Sequence, residues 1–124
     1  LSDEVRGRVD ASRLPILLPR RLAGQGRLLT EEHWYDFAYR GNGLEVHLKG
    51  VGVQHRDVPL PRTNETVAGR ELFVTVSEGI LSASFRENGI HYDLTIECGG
   101  RICDDSAEMR AVVADLVLVG GGVQ

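Results

Sequence analysis

The sequence predicts an α+β fold in which an antiparallel β-meander of about five to six strands packs against one C-terminal helix. Segments that alternate apolar and polar residues recur along the chain, with tight-turn sequences between them. Helical spacing of apolar residues appears only near the C-terminal end. A chain of 124 residues with 42% hydrophobic and 26% charged residues fits one globular domain. We assign this domain to residues 14–124 and interpret residues 1–13, which are polar and lack periodicity, as a partly ordered leader.

The first part of the predicted domain is an apolar run between two prolines, residues 14–19. Proline lacks the N–H group that a central strand needs, so this run is predicted to be an edge strand or an extended segment on the core. Residues 20–30 are predicted to form a loop. The strongest strand pattern begins at His33 and continues through the turn Gly41-Asn42-Gly43, where a positive φ costs little. Folding there places one apolar set on a common face: Tyr35, Phe37, Tyr39, Leu44, Val46 and Leu48.

Two further hairpins are predicted after a proline-containing loop at residues 55–66. Their turns are Glu78-Gly79 and Asn88-Gly89, and Asn-Gly between alternating segments is the strongest short hairpin signal. A two-residue turn at Asn88-Gly89 places Phe85 opposite Tyr92 on the apolar face and Arg86 opposite His91 on the other. A slip of one residue would turn every apolar side chain to water, so the register is well specified.

A helix is predicted after Asp105, which has Glu108 three residues later as in a capping box. Its apolar stripe contains Met109, Val112, Val113 and Leu116, and the glycines from Gly120 onward end it. Residues 116–119 could equally form a short final strand, because β-branched runs are ambiguous there.

Composition excludes some classes of function. The net charge of −4 gives no basic surface for nucleic acid, so no nucleic-acid partner is predicted. No run approaches the roughly 20 apolar residues of a membrane span. Lys49 is the only lysine among 14 basic residues, a bias that indicates a GC-rich, bacterial genome; the alternative is a selection of arginine for two-point contacts with anions. The chain begins at Leu1 rather than at methionine, as expected after removal of a signal peptide or at a fragment boundary.

The polar side of the predicted sheet is the candidate binding surface. We select five residues on it: Trp34, His47, Arg86, His91 and Asp93. One interpretation is a solvated face whose cross-strand charge pairs each contribute at most roughly 1 kcal/mol. The other is a binding surface in which Arg86 and His91 contact an anionic partner.

Catalytic, cofactor and metal motifs are not recognisable in the sequence. The four histidines are spread over three segments without the close spacing of zinc ligands, so no metal site is predicted. No serine lies in a Gly-x-Ser-x-Gly elbow, and the glycine pairs lack the lysine and helix of a phosphate loop. We therefore predict neither a catalytic residue nor a cofactor.

Cys98 and Cys103 are five residues apart at the end of a strand pattern. In an oxidising compartment this spacing suits a local disulfide, whereas in a cytosol both would be free thiols. A redox pair is usually Cys-x2-Cys at a helix N-terminus, so a structural disulfide is favoured.

The order of these features resembles small, uncharacterised envelope proteins of Gram-negative bacteria. The resemblance lies in Leu14-Pro15-Ile16-Leu17-Leu18-Pro19, in the segment from Gly89-Ile90-His91-Tyr92 through Cys98 to Cys103, and in the closing helix. It implies a periplasmic or secreted setting and brings no catalytic residue with it.

The function that the sequence favours is a non-enzymatic envelope protein, a binding or accessory module. It would act through a sheet face or a groove between sheet and helix. One short helix cannot cover a five-stranded apolar face alone, so either the N-terminal apolar segment helps to cover it or a groove remains for a protein, peptide, small ligand or second copy of the chain. The alternative is a small hydrolase or metal-dependent enzyme that uses His47 and His91.

Overall fold

A computed structural model describes residues 3–11, 14–52, 62–87, 89–98 and 107–119. Its elements in chain order are α1 (Asp3–Ala11), β1 (Leu17–Pro19), β2 (Arg27–Thr30), β3 (Trp34–Gly41), β4 (Leu44–Gly52), β5 (Glu65–Val67), β6 (Arg70–Ser77), β7 (Ile80–Glu87), β8 (Ile90–Glu97), α2 (Ala107–Ala114) and β9 (Leu116–Leu118).

The main sheet is antiparallel throughout and has seven strands in the order β2-β3-β4-β8-β7-β6-β5. Strands β1 and β9 form a separate two-stranded sheet. The predicted α+β class with an antiparallel sheet is confirmed. The predicted five to six strands and single helix are wrong, because the described residues contain nine strands and two helices.

The hairpins at the centre of the sheet follow the predicted registers. Asn42 and Gly43 form the first turn with φ of 53° and 72°, as a two-residue hairpin turn requires. Phe85 lies opposite Tyr92 and their rings stack with centroids 5.0 Å apart, while Arg86 lies opposite His91. The register prediction is therefore confirmed; Asn88 itself lies outside the described residues.

Three elements were not expected from the sequence. Strand β2 occupies part of the predicted loop at residues 20–30, and β5 begins within the predicted loop at residues 55–66, of which residues 55–61 lie outside the described residues. Helix α1 lies within the segment predicted to be a leader, and its Val5 and Val9 are buried in the core. Strands β2 and β5 have only four and three residues, and α1 is mostly polar, so none of the three shows a clear periodic pattern.

The two-stranded sheet packs on the apolar face of the main sheet through buried tyrosines. The Tyr35 hydroxyl donates to the Leu17 carbonyl oxygen over 2.7 Å and accepts from the Leu17 N–H over 3.1 Å. The Tyr92 hydroxyl donates to the Pro15 carbonyl oxygen over 3.3 Å. Burial raises the pKa of Tyr35 well above its usual range; nearby Tyr92 raises it further, against the opposing effect of the Leu17 hydrogen bond. Tyr35 is therefore a stable hydroxyl donor.

Gly50 makes room for this tyrosine pair. It is the register partner of Tyr35 on one side and of Tyr92 on the other. A Cβ atom at this position would overlap the Tyr35 ring. Because glycine leaves the space open, the two rings meet edge to face at 6.4 Å between centroids.

Helix α2 completes the second layer with Met109, Val112 and Val113 buried. Arg70 links helix and sheet: its guanidinium forms a two-point ion pair with Glu87 and donates to the Val113 carbonyl oxygen over 3.4 Å. The prediction that Leu116 belongs to the apolar stripe of the helix is wrong, because the helix ends at Ala114. Leu116 begins β9, as in the alternative of a short final strand. No helix of the described residues is long and apolar enough to cross a membrane.

Candidate binding surface

The polar face is the side of the main sheet opposite the buried tyrosines. We define it by the outward residues of β3, β4, β7 and β8: Trp34, Asp36, Ala38, Arg40, Glu45, His47, Lys49, Val51, Ser82, Ser84, Arg86, His91, Asp93, Thr95 and Glu97. They alternate with the buried residues because successive side chains of a strand point to opposite faces. All five residues of the predicted binding surface belong to this face.

A hydrogen-bonded cluster centred on Asp93 lies on β7 and β8. The Ser84 hydroxyl donates to Asp93 Oδ1 over 2.6 Å, and His91 Nε2 lies 3.2 Å from the same oxygen. Arg86 Nε donates to His91 Nδ1 over 3.5 Å. An accepting Nδ1 leaves the proton of a neutral imidazole on Nε2, which then donates to Asp93. The cluster therefore has a defined order of donors and acceptors.

Trp34 lies in the same cross-strand row as this cluster. Trp34 is opposite Val51, Val51 is opposite His91, and His91 is opposite Arg86. The indole is half-buried, and the Lys49 ammonium lies 5.8 Å from the centroid of its ring, within range of a cation–π contact. Trp34, Arg86, His91 and Asp93 thus share one end of the polar face.

His47 lies at the other end. His91 is opposite Val51 on β4, and His47 is four residues away from Val51 on that strand, which places the two histidines about 14 Å apart at the backbone. Two ligands of one zinc ion each lie about 2 Å from it, so these histidines do not converge on a metal. Among the residues that the structure describes, no group of three or more His, Cys, Asp or Glu side chains is placed to hold a metal ion.

The cluster also lacks the arrangement of a nucleophilic site. A serine nucleophile needs its hydroxyl proton taken by an adjacent histidine, which a carboxylate orients. Here Ser84 donates directly to Asp93 Oδ1, and His91 Nε2 contacts the same oxygen, so the histidine does not contact the serine hydroxyl as a base. The geometry is that of a fixed polar surface rather than of a Ser-His-Asp relay.

A cavity that sequence reasoning missed lies next to His47. Arg27 of β2 is opposite Ala38, and Ala38 is opposite His47, so one small side chain lies between two long ones. The cavity has a volume of about 360 Å³. We call it the Ala38 notch; it is lined mainly by Glu4, Arg27, Leu29, Asp36, Ala38 and His47. Half of these residues lie in α1 and β2, which were predicted as leader and loop.

A second cavity matches the predicted groove between sheet and helix. It has a volume of about 230 Å³ and is lined mainly by Pro19, Leu22, Leu44, Glu108, Ala111 and Val112. Ligand pockets usually enclose about 300–1,000 Å³, so this groove suits a single apolar side chain rather than a whole ligand.

The predicted disulfide is only partly within the described residues. Cys98 follows β8 with 2% of its surface exposed and is not a free cysteine. Cys103 lies outside the described residues, so the Cys98–Cys103 pairing stays a prediction.

Comparison with known proteins identifies no relative. No protein-family model, curated protein or solved structure matches the chain. The resemblance to Gram-negative envelope proteins therefore stays a prediction.

Proposed function

We propose that this protein is a non-enzymatic binding or accessory module that recognises its partner through the polar face. The observation that carries the proposal is the continuity of this face across β3, β4, β8 and β7. It combines a half-buried indole, the ordered Asp93 cluster and a cavity of ligand size. A face that served only solubility would need none of these, since scattered charged side chains suffice.

The arrangement of the polar groups supports binding rather than catalysis. Histidine, serine and carboxylate are all present, but their hydrogen bonds fix one another instead of activating a nucleophile. The separation of His47 from His91 likewise gives no support to the alternative of a metal-dependent enzyme. The partner class is a small ligand, a peptide or a protein, including a second copy of the chain.

The proposed setting is the periplasm or the extracellular space. Burial of Cys98 at a strand end and its spacing from Cys103 support it, because a disulfide persists in oxidising compartments. Thiol titration of the native, unreduced protein is the direct measurement, and we expect no titratable thiol. Two thiols per chain would contradict both the disulfide and the proposed compartment.

A binding screen read by NMR tests the function. Pools of small molecules and peptides are added to ¹⁵N-labelled protein, and we expect the shifts of a bound ligand to map to the polar face. Trp34 is the only tryptophan, so its fluorescence gives a second readout. Shifts confined to the sheet–helix groove would contradict the use of this face. Elemental analysis of the purified protein tests the alternative, which predicts a stoichiometric metal ion.

A further inference from the structure

We propose that the Ala38 notch binds a small zwitterion, specifically a free α-amino acid with an apolar side chain. The inference rests on the proposed function and names the ligand class that one part of the polar face accepts. Four observations support it: the shape of the notch, its uncompensated charges, their spacing, and an exposed leucine at its border.

The shape follows from the register of three strands. Arg27, Ala38 and His47 form one row across β2, β3 and β4, and neighbouring strands are about 4.8 Å apart. Arg27 and His47 therefore stand about 10 Å apart, with only the methyl group of Ala38 between them. The resulting volume of about 360 Å³ is at the small end of ligand pockets, which start near 300 Å³. It suits a ligand the size of an amino acid.

The charges that line the notch are not neutralised by one another. Within the part of the chain that the structure describes, Glu4, Arg27 and Asp36 make neither an ion pair nor a side-chain hydrogen bond. Lys49, directly opposite Asp36, has its ammonium at the Trp34 ring. One guanidinium and two carboxylates thus line a single cavity without internal partners.

The spacing of these charges favours a bridging zwitterion. Asp36 is two residues from Ala38 along β3, so it is the diagonal cross-strand neighbour of Arg27, about 7–8 Å away at the backbone. A guanidinium binds a carboxylate through two parallel hydrogen bonds, and an ammonium binds carboxylate oxygens. An α-amino acid carries both groups on adjacent atoms, so it can bind Arg27 through its carboxylate while its ammonium lies between Asp36 and Glu4.

His47 and Leu29 complete the recognition. His47 lies across Ala38 from Arg27, with its Nε2 3.5 Å from Glu45 Oε1, which holds the imidazole at the edge of the notch. Leu29 is 56% exposed and borders the cavity. An apolar ligand side chain over Ala38 and Leu29 would remove this surface from water.

Calorimetric titration with L-leucine tests the proposal on the wild-type protein. N-acetyl-L-leucine lacks the ammonium and L-leucine amide lacks the carboxylate. We expect L-leucine to bind and each analogue to bind about tenfold or more weakly, the usual effect of losing a charge-assisted hydrogen bond. Equal binding of L-leucine and either analogue would overturn the inference.

Variants assign the binding to the notch. Arg27→Gln and Asp36→Asn should each weaken L-leucine binding about tenfold, and Ala38→Leu should abolish it by filling the cavity. Arg27 is exposed, so its variant keeps the fold even if Ala38→Leu does not. Arg20→Gln is the matched control, because Arg20 is exposed like Arg27 but lies outside the polar face and the notch. This control variant should bind L-leucine with the same affinity as the wild-type protein.

The outcomes separate this inference from the proposed function. If L-leucine fails to bind while another ligand shifts the Trp34 and His91 signals, the inference fails and the proposed function stands. If ligands bind only in the sheet–helix groove, both fail.

Discussion

Tyr35→Phe removes one oxygen atom, and we expect it to be among the most destabilising single-atom changes in this chain. The Tyr35 side chain is fully buried, and its hydroxyl makes two hydrogen bonds to the backbone of Leu17 in β1. These are the described hydrogen bonds by which the main sheet holds the first residue of β1. Phenylalanine fits the same space, so the substitution tests the hydroxyl and not the packing of the ring.

The magnitude follows from the two backbone groups left behind. A typical hydrogen bond contributes about 1 kcal/mol net, and a buried donor or acceptor that loses its partner costs about 1–3 kcal/mol. The N–H and C=O groups belong to Leu17, which is only 1% exposed, so water does not easily replace the lost hydroxyl. We expect the free energy of unfolding to fall by about 2–4 kcal/mol, a large part of the 5–15 kcal/mol typical of a domain.

Urea unfolding followed by circular dichroism measures this loss, provided that the slope m stays unchanged. Tyr39→Phe is the matched control, because Tyr39 is also buried but, among the described residues, its hydroxyl has only a 3.5 Å contact with the Asn42 side chain. We expect the control to lose less than about 1 kcal/mol. If Tyr35→Phe lost no more than Tyr39→Phe, the two-stranded sheet would not depend on this hydroxyl.

Four further predictions concern pH, packing and the sheet edge. Because the pKa of Tyr35 is raised in the folded state, the unfolded chain loses this proton near pH 10 while the folded chain keeps it. Stability should therefore fall above about pH 10, by up to about 1.4 kcal/mol per pH unit from this group, and urea unfolding should show a shallower fall for Tyr35→Phe. Gly50→Ala should cost about 1–3 kcal/mol by overlap with the Tyr35 ring, and an unchanged Tm would refute the close approach. Met109→Asp buries a charge at a position 1% exposed and should cost about 3–5 kcal/mol; a Tm within about a degree of wild type would show that α2 is not docked. Asn64→Ala removes two hydrogen bonds to the Val74 backbone, of 2.9 and 2.8 Å, and should speed amide exchange at Val74 without unfolding the chain.

The central strands were predictable because two independent signals agree there. Alternation of period two identifies the strands, and turn residues such as Asn42-Gly43 set the register. A slip of one residue would turn the apolar set of each strand away from the core, and the two-residue turn fixes the remaining choice, so the pairing of Phe85 with Tyr92 followed from the sequence.

Strand β2 and helix α1 were not predictable from the sequence, and the Ala38 notch was missed with them. β2 has four residues, of which only Leu28 is buried, so it shows no alternation distinct from a loop. In α1 the spacing of Val5 and Val9 is helical, but Gly7 lies between them and most of the helix is polar. Since Glu4, Arg27 and Leu29 all come from these two elements, no strand pattern placed them beside His47.

The pairing of β1 with β9 has a consequence for the order of folding. Leu17 is the register partner of Leu118, so the contact joins residues about a hundred positions apart, whereas the hairpins of the main sheet close across two residues. By the logarithmic loop-closure relation, the longer closure costs roughly 3–4 kcal/mol more in chain entropy than a hairpin turn. Hairpins should therefore form early, and the second layer should close last. During synthesis β1 is made long before β9, the last described strand. A nascent chain that lacks β9 therefore leaves Leu17 and Leu18 without their partner strand.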